Sequence, residues 1–200
     1  MQQYLQLILA SRAQEREHCM VIAFTSASPK EGVSHVVRSF GAELVRCTGK
    51  RTLIVDAQRL QRLQASNPIR VSQYCVETEI TNLWIMPPDE EVAVTLDEGH
   101  LLQRAGARLH EQQLGQDRIQ ALRVGFDHVL IDCPSLKASA MAAMIAPYVD
   151  GMVLVVEADR TKRDQIQRAQ QLVATVDGRL LGYVLNKRRY PVPEWLYKRL

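Results

Sequence analysis

The chain has 200 residues, enough for one domain with a sizeable core. Its hydrophobic share of 46% and charged share of 24% are those of an ordinary globular protein, and a net charge of +3 without long basic runs gives no ground for a nucleic-acid partner. No apolar run approaches the roughly 20 residues a membrane span needs. The N-terminus, "MQQYLQLILASRAQEREH", has neither a basic start nor a small-residue cleavage site, so no secretory signal is expected and the chain reads as cytoplasmic. Cys19, Cys47, Cys75 and Cys133 lack C-x-x-C spacing, which argues for reduced, mostly buried thiols rather than zinc.

In chain order, "CMVIAFTS" (19–26) is an apolar, β-branched strand. "SHVVRSFGAELVRC" follows as an amphipathic helix, with Val36, Val37, Phe40, Leu44 and Val45 near one face. "RTLIVDA" (51–57), "FDHVLIDCP" (126–134) and "GMVLVVEAD" (151–159) read as further buried strands, and "NLWIMP" (82–87) and "LLGYVLNK" (180–187) as two more. "SAMAAMIAPYV" predicts a short buried helix stopped at Pro147. "TKRDQIQRAQQLVATV" predicts a helix capped by Thr161 with Asp164 three residues on, and Ile166, Ala169, Leu172 and Val173 inward. The stretch from about Gln58 to Thr81 and the turn "PPDEEVAVTLDEGH" read as surface excursions.

Strands alternating with helices define an α/β fold with a mainly parallel sheet covered on both faces. Ligands in such sheets bind beyond the carboxyl ends of the strands, which selects the loops after Ser26, Asp56, Asp132 and Asp159. The first of these stands where a P-loop, G-x-x-x-x-G-K-[ST], would stand, between a strand and a helix. The chain offers Ala27, Gly32, Val33 and Ser34 at the pattern's fixed positions, with Ser28, Lys30 and Glu31 between. Backbone N–H groups at the helix start can meet an anion, and Ser34 can offer a hydroxyl to magnesium. The lysine is absent. A charge pair at ~4 Å is worth about 4 kcal/mol at an effective dielectric near 20, or about a thousandfold in affinity. Lys30 lies three residues early, and whether it reaches the phosphates is open. Asp56 and Asp132, each ending an apolar strand, either hold magnesium or simply cap the loops that follow.

Together these segments resemble the cytoplasmic domain of bacterial tyrosine kinases, in the MinD/ParA-like branch of P-loop ATPases. "TSASPKEGVSH" resembles that family's "TSAxPGEGKST", "RTLIVDAQR" its "RVLLIDADLR", and "FDHVLIDCPS" its "YDYVIIDTPP". "APYVDGMVLVVEADRTKRDQI" and "LLGYVLNKRRY" resemble the segments that close the domain. The resemblance covers nearly the whole chain. It implies a single-domain, P-loop NTPase-like three-layer sandwich over 1–200, with Asn186 near an adenine. It also implies work in exopolysaccharide or capsule export. The implied partner is a membrane-embedded chain-length regulator (a co-polymerase) whose cytoplasmic end activates the kinase, the implied ligand Mg-ATP, and the implied place the inner face of the plasma membrane.

The departures fall at the chemistry. The family's loop glycine and lysine are Lys30 and Val33, and the second aspartate of its "DxD" is Gln58. Gln2, Leu5 and Ile8 replace a glutamate and two arginines of the subunit contact, so a homo-oligomer would have an altered interface. Apolar strands, Gly151 and Gly182 are kept. The tail, 187–200, carries only Tyr190 and Tyr197; with Arg188, Arg189 and Trp195 it either grips an anionic membrane or a partner groove, or docks on its own domain.

The expectation is a kinase-like, catalytically inactive P-loop protein serving as a partner in exopolysaccharide assembly, with no bound cofactor. The alternative is an active ATPase or tyrosine kinase that uses Mg-ATP through an unorthodox loop. A ParA-like positioning ATPase would need its signature lysine at Ser28. Binding of a different anion or nucleotide is also open.

Overall fold

The structure, a computed structural model, describes residues 19–62, 75–87, 116 and 118–188. The subunit-contact segment with Gln2, Leu5 and Ile8, the turn residues 88–100, and the tail residues Arg189, Tyr190, Trp195 and Tyr197 lie outside the described residues.

Seven strands form one sheet, and each run of apolar residues explains its own place in it. β1 (Met20–Ser26), β2 (Thr52–Asp56), β5 (His128–Asp132) and β6 (Gly151–Glu157) are the apolar runs read from the sequence. They are almost wholly buried because both of their faces are covered. β4 (Leu83–Ile85) and β7 (Leu180–Asn186) flank them. The order is β3-β4-β2-β5-β1-β6-β7, and every pairing is parallel except β3 with β4. β3 (Val76–Glu77) lies inside the stretch read as a surface excursion; both its residues are exposed, so no burial pattern marks it. It joins β4 through a turn in which Asn82 adopts φ 67° and its side chain donates to the Gly49 carbonyl at 3.0 Å.

Successive β1 residues face opposite layers, as strand geometry requires. Ile22 and Phe24 pack with Val33, Val37, Phe40 and Leu44 of α1 (Val33–Thr48) on one face. Val21 and Ala23 face the other cluster, which holds Leu60 of α2 (Ala57–Arg62), Ile119 and Leu122 of the helical residues 118–122, Ala142 of α3 (Met141–Ile145) and Val173 of α4 (Arg163–Thr175). The described residues therefore make the three layers expected.

Three local expectations are corrected. The helix before Pro147 does not stop there: α3 tightens into a 3-10 turn, Ala146–Tyr148, that accepts the proline in its first turn, where a missing N–H costs nothing. α4 begins one residue later than expected, after Lys162, whose N–H donates to Gln165 Oε1 at 3.0 Å. The Thr161 hydroxyl is drawn instead to Glu31, across the molecule. Leu172 is 40% exposed, at the edge of the narrow stripe of α4 that buries Ala169 and Val173. Of the two retained glycines, Gly151 has a packing reason, since a Cβ there would meet Leu181 Cγ at 2.3 Å, whereas Gly182 faces open space.

Candidate functional site

β1 and β5 are neighbours, and β5 in turn neighbours β2, so the loops leaving their carboxyl ends converge. The result is an open cleft. The start of α1 forms one wall through Gly32, Val33 and Ser34, with Pro29, Lys30 and Glu31 before it. Asp56 and Gln58 also line it, as do Asp132, Cys133, Pro134 and Ser135 of the loop after β5. Three of the four loops selected from the sequence thus meet. The fourth, after Asp159, does not line the cleft but braces it from behind through Thr161.

α1 starts abruptly. Gly32 takes φ 91°, ψ 32° in the left-handed region, and no side chain caps the helix. A Cβ here would be strained, and would also lie 2.3 Å from Asn186 Nδ2. The free N–H groups of the first turn, carried by Val33, Ser34 and His35, are the donors a helix start offers to an anion.

Val33 stands at the position where the pattern G-x-x-x-x-G-K-[ST] has its lysine. Its side chain is 9% exposed and packs with Ile22, Phe24, Val37 and Phe40, so the position is filled by core rather than left as a gap. Lys30 holds φ 69°, a conformation that suits the glycine of the resembled loop. Its side chain is exposed on the cleft wall.

The loop's back is tied down by charged and polar side chains. Glu31 is only 3% exposed: its carboxylate accepts from the Ser28 N–H at 3.1 Å and from the Thr161 hydroxyl. The Asn186 amide donates to the Glu31 carbonyl at 2.9 Å. Lys187 Nζ donates to the Lys30 carbonyl at 2.5 Å and to Glu157 at 3.0 Å, and the hydrogen bond from Lys187 holds the Glu157 carboxyl below the usual range. Ser28 accepts from Gln165 Nε2 at 3.4 Å and from Ser26 Oγ through its carbonyl at 2.9 Å. Ala27 is buried against Leu154, Val156 and Ala169. Ala27, Ser28 and Asn186 are therefore placed behind the loop and do not line the cleft.

The acidic end has a different character. Parallel register sets Asp56 directly beside Asp132. Asp56 Oδ1 accepts from the Gln58 N–H at 2.7 Å, so this carboxylate caps α2 with one oxygen. Burial pushes the Asp132 carboxyl above the usual aspartate value; the neighbouring Asp56 raises it further, while the Ser34 hydrogen bond and Arg38 pull it down. Two carboxylates and a hydroxyl suit magnesium, which binds through one or two carboxylates and keeps several waters. Ser34, Asp56 and Asp132 are the residues that would hold it. Among the described residues no group of three or more His, Cys, Asp or Glu side chains is placed to hold a metal. Cys133 is buried, and burial pushes its thiol far above the usual value, so it is no nucleophile.

Sequence reasoning missed Ser135 and Lys187. Neither had a spacing signal: one follows a loop proline, the other lies past the end of β7.

No family model matches the chain. The fold is that of a P-loop NTPase-like α/β protein, as solved structures show. The kinase domain of Escherichia coli tyrosine kinase ETK superimposes with a TM-score of 0.62 at 15% identity, over 96% of this chain and 76% of that one. The VpsO kinase domain gives 0.61 at 18%, over 94% and 98%. MinD of Aquifex aeolicus gives 0.59 at 16%, over 90% and 73%. In sequence, the chain is 27% identical over 183 residues to tyrosine-protein kinase CpsD of Streptococcus agalactiae, covering 84% of this chain and 75% of the relative. It is 23% identical over 173 residues to tyrosine-protein kinase YwqD of Bacillus subtilis, covering 84% and 72%. It is also 27% identical over 178 residues to the succinoglycan biosynthesis transport protein ExoP of Rhizobium meliloti, spanning 22% of that longer protein. Its homologues are thus bacterial tyrosine kinases and an exopolysaccharide transport protein, and its structural neighbours are tyrosine-kinase domains and MinD-like P-loop ATPases.

Proposed function

We propose that the chain is a kinase-like partner protein of capsule or exopolysaccharide assembly that does not transfer phosphoryl groups. The observation that carries this is Val33: an apolar side chain packed into the core where a P-loop places its lysine. Phosphoryl transfer depends on charge stabilisation of the transferred group, and that position supplies none. Lys30 is the nearest substitute, but it sits on an exposed wall with its backbone tied to Lys187.

The scaffold retains what recognition needs. The start of α1, Ser34 and the Asp56–Asp132 pair remain, and the loop is braced from β7 and from the connection between β6 and α4. In this reading one domain over 1–200 works on the inner face of the plasma membrane with the cytoplasmic segment of a chain-length regulator. Arg188, exposed at the end of the described residues, begins a tail whose Arg189, Trp195 and Tyr197 contact that partner or the membrane surface. Among the described residues no helix is long and apolar enough to cross a membrane.

A second reading, an active ATPase or tyrosine kinase served by Lys30, draws support from Lys30 lining the cleft. A ParA-like positioning ATPase fits less well, because Ser28 is spent on the loop's own hydrogen bonds. Mg-ATP turnover and a phosphotyrosine blot on the purified chain separate the first two. No turnover and no phosphotyrosine is expected; turnover that disappears in Lys30→Ala would establish the active enzyme instead.

A further inference from the structure

β7 is the last strand of the sheet, and no strand lies beyond it among the described residues. The Asn186 carbonyl accepts from the Ala158 N–H at 2.9 Å, so Asn186 turns its backbone groups toward β6. Backbone groups alternate in direction along a strand. Val184 therefore also faces β6, while Tyr183 and Leu185 direct their N–H and C=O groups outward. The same two side chains are exposed, Tyr183 by 41% and Leu185 by 48%. They lie on the α4 side of the sheet, where the Tyr183 hydroxyl donates to Gln170 Oε1 at 3.0 Å. An open edge strand is normally blunted by a charge or a proline, and "LLGYVLN" has neither.

The chain nearest this edge is its own continuation. β7 ends at Asn186, Arg188 is the last described residue, and residues 189–200 follow. Lys187 has φ 55°, in the left-handed region used where a chain reverses. Beyond it the sequence reads "RRYPVPEW", in which Pro191 and Pro193 alternate with Tyr190 and Val192. Proline has no N–H, so within a sheet it belongs on an edge strand with that side facing solvent. It also biases the residue before it toward extended backbone, here Tyr190 and Val192. The sequence thus favours an extended stretch whose two N–H groups, on Tyr190 and Val192, point to one side.

We propose that residues 190–193 return antiparallel along β7 and pair with its outer edge. With residues 187–188 as the connecting turn, Tyr190 stands opposite Leu185 and Val192 opposite Tyr183. In both pairs each residue gives and receives a hydrogen bond, so the outward groups of β7 are met. Pro191 and Pro193 then fall opposite Val184 and Gly182, which pair with β6, and nothing is asked of the missing N–H groups. Opposite residues share a face, so Tyr190 covers Leu185 and Val192 covers Tyr183. The prolines supply the blunt edge that β7 lacks. A second copy of the chain would meet the same edge without this match, and without the effective concentration, on the order of millimolar, that a short tether gives. Trp195 and Tyr197 lie beyond the paired stretch, so the contact proposed for them above stays open. The pairing holds whether or not the cleft binds a nucleotide.

The test is amide hydrogen exchange, read residue by residue by NMR. It compares the natural full chain, the double variant Tyr190→Pro with Val192→Pro, and Pro193→Ala, each at two protein concentrations. In the natural chain the Tyr183 and Leu185 N–H groups are expected to be protected, as that of Val184 is. The double variant removes both facing N–H groups. It is expected to speed exchange at Tyr183 and Leu185 about tenfold or more and to leave Val184 unchanged. Pro193→Ala is expected to keep the protection. Free exchange of Tyr183 and Leu185 in the natural chain overturns the proposal. So does protection that survives the double variant, which would mean a different cover. Protection that falls on dilution, together with a dimeric mass, would make the pairing strand a second copy and overturn it as well. A loss in Pro193→Ala as large as in the double variant overturns the register.

Discussion

Asp56 and Asp132 stand side by side, register partners at the carboxyl ends of the adjacent parallel strands β2 and β5. Two neighbouring carboxylates at a half-buried cleft floor are unfavourable without a cation between them. Burial, first, and Asp56, second among the raising influences, hold the Asp132 proton more tightly in the folded chain than in the unfolded one. The folded state then binds more protons between the unfolded aspartate value, about 3.9, and the raised folded value. Stability therefore falls as pH rises through that window and stays lower above it. Asp132→Asn should raise the thermal midpoint near neutral pH, and the gain should fade as pH falls below the ordinary aspartate range. Millimolar magnesium should raise the midpoint of the natural chain more than that of the variant. Thermal denaturation across pH, with and without magnesium, reads both effects.

The buried Glu31 carboxylate ties the loop to the connection before α4, through the Ser28 N–H and the Thr161 hydroxyl. Glu31→Ala strands both donors in a site where water is scarce. The expected loss is about 1–3 kcal/mol in urea denaturation, with Glu31→Gln recovering part of it because one acceptor oxygen survives. Equal stability of all three proteins would show that the latch holds nothing.

Lys30 carries a side chain at φ 69°, where L residues are strained. Lys30→Gly should stabilise the chain by up to about 1 kcal/mol, the relief of left-handed strain less the added freedom of glycine when unfolded. It should leave Mg-ATP affinity unchanged, because the side chain is exposed to solvent. A drop in affinity measured by calorimetry would make Lys30 a phosphate contact and favour the active-enzyme reading.

The sheet was legible because strands covered on both faces must be apolar throughout, and β1, β2, β5 and β6 are largely so. β3 escaped because Val76 and Glu77 are both exposed and make a strand of only two residues. Leu172 shows the limit of helical spacing: it follows the same period as Ala169 and Val173, yet α4 buries too narrow a stripe to cover it. At the site, Asp56 and Asp132 were legible because strand ends in a parallel sheet share one edge. The latch was not, because Glu31, Thr161 and Asn186 are far apart in sequence and only tertiary packing joins them. Asn186, expected near an adenine, has its amide donor engaged on the loop backbone. Ser135 was invisible for a related reason: a serine after a loop proline has no periodic neighbour.

In the function proposed above, the charge missing at Val33 is the departure that most weakens this cleft as a phosphate-binding loop. Calorimetric titration of Mg-ATP into the natural chain and into Val33→Lys tests this directly. The lysine, its stem lying where Val33 packs, is expected to tighten binding by roughly a hundredfold to a thousandfold. Equal affinity in the two proteins, with Val33→Lys folded normally, would contradict the proposal and place the defect elsewhere in the cleft.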